Sequence, residues 1–210
     1  MSGDTVRRDN SSRNTVNGQT MSATERVGPM PVTEPKRPER TLPEPWLRGT
    51  LADVPAVARA ALHALELARE DLRKWCGGLT DQEVNLRPAG IAPVAFHIRH
   101  IARSADRLLT YAEGRALTTE QIAVMKNELA PAATTIELFA ELDAACDDHA
   151  RRIRALSGAD LEERRTVGGQ QLPTTLGGLL VHIAEHTQRH TGQAVTTSQI
   201  VMAQRNAQSL

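Results

Sequence analysis

A chain of 210 residues with 25 basic and 25 acidic side chains carries no net charge, which argues against a dedicated nucleic-acid binder, whose phosphate contacts need a basic excess. Hydrophobic residues at 40% suffice for a packed core, while aromatics at only 2% disfavour a β-sandwich or barrel and point to an all-α protein. Two cysteines are too few for a disulfide framework, and no apolar run of ~20 residues or apolar N-terminal leader is present, so a soluble cytoplasmic protein without membrane attachment is expected.

Residues 1–40 hold Ser, Thr, Asn, Arg and Pro but no Leu, Ile, Phe, Trp or Tyr. Such a segment buries too little apolar surface to offset its ordering entropy, so a disordered tail is predicted, with the folded domain spanning 41–205. Its basic excess is too slight to mark a nucleic-acid arm. The Pro-bracketed stretch before Trp46 leads into the fold, with Trp46 expected to pin it to the bundle. A first helix is predicted from Asp53, as N-cap, to Trp75, on the three- and four-residue recurrence of Val54, Ala58, Ala61, Leu62, Leu65, Leu72 and Trp75. A second runs from Pro93 to Glu113 and stops at Gly114, and a short one follows from Thr119 to Leu129. The third main helix covers Thr135–Leu156, opened by a Thr134-x-x-Glu137 capping box and closed by Ser157-Gly158. A short turn or hairpin is possible over Thr166–Pro173. The fourth main helix begins after a Thr174 or Thr175 cap and extends to about Met202. Four amphipathic helices with moderate connections close most naturally as a four-helix bundle.

Five of the seven histidines fall on two of these helices: His97 and His100 on the second, His182, His186 and His190 on the last. Positions three or four apart share a helix face, so each set forms a column. Two imidazoles from one helix and one from a facing helix would hold a divalent ion such as zinc or nickel, leaving a position open for water or substrate. Spacing alone does not choose which three. His182-Ile-Ala-Glu185-His186 also matches the short H-x-x-E-H pattern of inverted zinc peptidases, but five residues are a weak match. His63 and His149 stand alone and are assigned to solvent or local hydrogen bonds.

The runs Gly78–Pro88, Ala92–Tyr111 and Gly178–Gln193, above all His186-x-x-x-His190-x-Gly192-Gln193, resemble the DinB-like family of four-helix-bundle metalloproteins over roughly Leu51–Met202. The resemblance implies a metal site made by one histidine of the second helix and two of the last, here His100, His186 and His190, with His97 and His182 beside it. It implies a small-molecule substrate and a metal-dependent transferase or hydrolase, with the ion activating water or a low-molecular-weight thiol. It also implies a possible homodimer. The alternative is a non-catalytic metal- or small-ligand-binding stress-response bundle.

Several further residues carry expectations. Gly177, Gly178 and Gly192 are read as points of close helix approach, and Gln193 as either near the site or a buried amide. Asp106, Glu113 and Glu185 are the carboxylates that could orient a metal-bound imidazole, although an exposed charge or an ion pair with Arg103 or Arg107 is the simpler reading of each. Tyr111 could face a cavity. The Arg151-Arg152-Ile-Arg154 run reads as a solvated face, and Cys76 and Cys146 as small core residues.

Overall fold

The computed structural model describes residues 42–128 and 133–208, so the expected disorder of residues 1–40 lies outside the described residues. The elements in chain order are α1 (Ala56–Cys76), α2 (Val94–Ala112), α3 (Thr119–Lys126), α4 (Thr135–Leu156), β1 (Arg164–Val167), β2 (Leu172–Thr175) and α5 (Leu176–Gln208). Short 3₁₀ turns occupy Pro45–Leu47, Glu83–Asn85 and Pro88–Gly90. Helices α4 and α5 each pack on both α1 and α2. The pair α1 and α2 therefore sits on one diagonal of a four-helix bundle and α4 and α5 on the other. Among the described residues no helix is long and apolar enough to cross a membrane.

The local chemistry explains most boundaries. In α4 the Thr134 hydroxyl accepts from the Glu137 amide while the Glu137 side chain takes the Thr134 amide, the reciprocal cap expected from the spacing. Helix α3 opens with a second such box, Thr118 with Gln121. Helix α1 starts later than expected: its N-cap is Pro55, not Asp53, because a residue before proline is disfavoured in the helical region, which keeps Val54 out of the helix, and Pro55 itself has an extended ψ of 149°. Pro93 likewise caps α2 from outside rather than occupying its first turn. Thr175 accepts a hydrogen bond from the Gly178 amide and opens α5. The expected turn over Thr166–Pro173 is a true antiparallel hairpin, pairing Arg164 with Thr175 and Val167 with Leu172. This adds two short strands to an otherwise helical fold.

The apolar core divides into two halves. One gathers Leu72, Val94, Ile98, Ile101, Leu138 and Leu142, and the other Leu62, Leu65, Leu109, Ile153, Leu180 and Ile183. Each fully buried Leu or Ile contributes about 1.5–3 kcal/mol relative to exposure. Along α5 the second of these halves ends at Ile183 and the first begins at Ala194. Between them the buried residues are Thr187 and Thr191, and this polar interval is where the histidines lie.

Several side chains sit differently from their sequence-based assignments. Trp46 is 61% exposed and donates only to Glu44. The entry segment is held instead by Arg48, which hydrogen-bonds Glu66 and clasps Glu70 with two nitrogens. Arg152 is 7% exposed rather than solvated, and it pairs with Asp106 and Glu113 at 2.6 Å each. His63 and His149 are buried rather than in solvent, and His63 has the hydrogen-bonded neighbour that was the other expectation, Thr50 Oγ1 at 3.3 Å from its Nε2. Gly177 and Gly178 are indeed crowded, but by Leu161 and Thr174 of the hairpin region rather than by a helix, and nothing lies near Gly192. Cys76 and Cys146 are core residues, and burial raises both thiol pKa values.

Candidate metal centre

Helix α2 presents a polar stripe, His97, His100, Ser104, Arg107 and Tyr111, at alternating spacings of three and four. It faces His186 and His190 of α5. His100, His186 and His190 form a group in which one ligand-capable nitrogen from each lies within 4.8 Å of the others. His100 Nε2 and His186 Nε2 are 3.4 Å apart. Two imidazole nitrogens bound at 2.0–2.1 Å to a tetrahedral ion stand about 3.3–3.4 Å apart, so this pair already has the edge length of such a site.

Each of the three rings is also held from behind. His100 Nδ1 lies 2.5 Å from Glu128 Oε2. His186 Nδ1 lies 3.3 Å from Ser104 Oγ, and His190 Nδ1 lies 3.1 Å from His97 Nδ1. With every Nδ1 engaged, Nε2 is the nitrogen each ring has free to turn inward. Fixing the outer nitrogen sets both tautomer and ring direction, which is how metal-binding histidines are normally prepared. Phe96 stacks on His100 with ring centroids 5.1 Å apart and meets His97 edge-on, limiting ring rotation further.

Glu128 is held in turn. It is 6% exposed, and its second oxygen accepts from Arg107 at 2.5 Å. Burial opposes ionisation of this carboxyl, but the hydrogen bonds from His100 and Arg107 outweigh it and hold the pKa below the usual range. Glu128 reaches its place because α3 is tied to α2: the Gln121 side chain donates to Asp106 at 2.6 Å and to Thr110 at 2.8 Å. Burial above all, with an electrostatic contribution from the neighbouring ring of His100, lowers the pKa of His97, His186 and His190 to about 4. These three rings are therefore neutral at pH 7, the form in which imidazole binds a metal.

Of the other residues singled out by sequence, His97 is buried against His190 rather than free, and His182 lies at the margin, 3.4 Å from Glu185. Glu185 pairs with Arg189 on the outer surface of α5, so H-x-x-E-H has no zinc-peptidase arrangement here. Asp106 and Glu113 serve Arg152, not a metal-site histidine, Arg103 or Arg107. Gln193 is exposed. Glu128 and Ser104 were missed. Ser104 was legible as the residue four after His100, whereas nothing in the sequence marks Glu128, 28 positions away.

Beside the cluster lies a cavity of about 260 Å³ lined by His100, His186, Ser104, Tyr111, Met125 and Val167 among others. Tyr111 thus does face a cavity. No curated protein matches the chain. The sequence pattern of the DinB superfamily matches residues 64–194, an interval that contains all three clustered histidines and both missed residues. Covering well over half of the chain, that match makes this protein a member of the DinB superfamily.

Proposed function

We propose that the protein is a divalent-metal-dependent enzyme acting on a small molecule, with His100, His186 and His190 as the metal ligands. The observation that carries this reading is the pairing of every outer nitrogen, with Glu128, Ser104 and His97, around a set of nitrogens within 4.8 Å of one another. A zinc or nickel ion held there would supply Lewis acidity, drawing the pKa of a bound water or thiol toward neutrality. Neutral imidazoles would leave the ion's charge undiminished and so favour an anionic partner.

The adjoining cavity supports catalysis over storage. Leu108, Leu117, Met125 and Val167 line it with apolar surface, while Ser104 and Tyr111 supply hydroxyls for a substrate. Neither His97 nor His182 belongs to the ligand-capable group, and Glu128 is already engaged by His100 and Arg107. A coordination position therefore stays available to a small molecule. Membership of the superfamily favours transfer of a low-molecular-weight thiol over hydrolysis.

Elemental analysis of protein purified without a His-tag tests the metal. A stoichiometric ion, and a rise in melting temperature on adding zinc or nickel, are expected; at a free ion concentration about 1,000 times Kd the gain approaches 4 kcal/mol. Activity with thiols and electrophiles should disappear in His186→Ala. Absence of both metal and thermal stabilisation would overturn the reading.

A further inference from the structure

A second and larger cleft, about 560 Å³, opens between the end of α2 and the hairpin, lined by Tyr111, Arg115, Arg164, Arg165, Thr166 and Gln171 among others. It adjoins the histidine cavity. Tyr111 lines both, and Leu117 and Val167 of the one are chain neighbours of Ala116 and Thr166 of the other. A molecule lying along the two would have one end at the metal ligands and the other among arginines.

The arginines differ in how far their charge is already spent. Arg165 is anchored: its Nε donates to the Ala112 carbonyl at 2.7 Å, capping the end of α2, and it pairs with Glu163 at 2.7 Å. Arg115 pairs with Glu113, which Arg152 also holds. Arg164 stands on the exposed face of β1, and its guanidinium has no partner among the described residues. In the adjoining cavity Arg107 is balanced by Glu128. No carboxylate lines either cavity among the described residues. Among the described residues lining the cleft one uncompensated positive charge therefore remains, that of Arg164, beside the already paired guanidiniums of Arg115 and Arg165. A guanidinium offers a planar fork of donors matched to carboxylate or phosphate oxygens.

We propose that this cleft seats the oxyanion of the substrate, a carboxylate or phosphate monoester, with Arg164 as its pairing residue, while the substrate's reacting end lies at the histidine cluster. The second half of that statement rests on the function proposed above, and the first half does not.

The test uses metal-free full-length protein, titrated with glutarate, phenyl phosphate and, as a neutral control, glutaramide, followed by NMR of the arginine side chains. Saturable binding of an anion but not of glutaramide is expected, with the tighter of the two anions identifying the oxyanion preferred. Arg164→Gln should weaken it about tenfold, the scale of one charge-assisted bidentate pair. Arg59→Gln, which removes an equal charge from a different cavity beside Trp46, should leave it unchanged. No saturable binding, or equal weakening by the two substitutions, would overturn the proposal. In cobalt-loaded protein Arg164→Gln should weaken ω-mercaptocarboxylates and spare ω-mercaptoalcohols. Failure of the protein to load cobalt, with anion binding intact, would count against the metal-enzyme reading alone.

Discussion

Glu128 joins two functions in one carboxylate, and substitutions there can separate them. Its Oε2 holds His100 Nδ1 and its Oε1 holds Arg107, both at 2.5 Å, and Glu128 and Arg107 are both buried. Glu128→Gln keeps the shape but leaves Arg107 as a buried cation without a counter-charge. Removing one partner of a buried pair costs about 3–5 kcal/mol. For a chain of this size that corresponds to a fall in melting temperature of roughly 6–20 °C, at about 2–4 °C per kcal/mol. Independently, His100 loses the charged acceptor that orients it, which should weaken metal binding by about 10–100-fold. The double substitution Glu128→Gln/Arg107→Met removes the stranded cation. It should recover most of the thermal stability of the metal-free protein while metal affinity stays low. Melting curves of metal-free protein give the first quantity, and competition against a chelator gives the second. If metal affinity returned together with stability in the double variant, Glu128 would be acting through the fold and not by aiming His100.

Four further outcomes are expected. His97→Phe preserves the ring's bulk but deprives His190 Nδ1 of its partner, and should weaken metal binding by about tenfold in the same chelator assay. His149 is buried, and its pKa falls from 6.5 to about 4 through desolvation above all; the unfolded chain alone takes up a proton between those values, so this group should lower stability by up to roughly 3 kcal/mol as pH falls from 6.5 to 4, and His149→Leu should make the fall of melting temperature over that window shallower, leaving the share due to His97, His186 and His190. Leu180→Ala, at a fully buried position, should cost about 2–5 kcal/mol in denaturant unfolding. Thr134→Ala, which removes the α4 cap, should cost about 1 kcal/mol by the same measurement.

The bundle was readable because its determinants are local. Apolar residues at three- and four-residue spacings, glycines beyond helix ends and the Thr134–Glu137 box lie within a turn of the boundaries they set, and α4 runs over the predicted Thr135–Leu156. Where a boundary depended on backbone ψ at a proline, as at Pro55 and Pro93, it moved by one to three residues. The histidine columns on α2 and α5 were legible for the same reason, since each is a single-helix periodicity. That the two columns meet is a matter of helix pairing, and His97 illustrates the gap: its spacing equals that of a ligand, yet its Nδ1 lies against that of His190.

The misassigned charges share a cause. Arg152 sits in a run of basic residues that resembles a wet helix face, but its fork reaches Asp106 and Thr110 on α2 and Glu113 at its C-cap, and is buried there. Glu128 lies beyond the end of a short helix with no buried residue of its own, next to no motif, and its importance comes wholly from what α3 is tied to. Both are buried polar groups whose hydrogen-bond partners lie 21 or more residues away. A charged side chain is kept inside only when its partners are already positioned, so its burial depends on tertiary contacts that no sequence window contains. The same rule makes these residues informative once the fold is known. Glu128 spends one oxygen on balancing Arg107 and the other on His100, so the charge that makes its burial tolerable also aims a ring at the site.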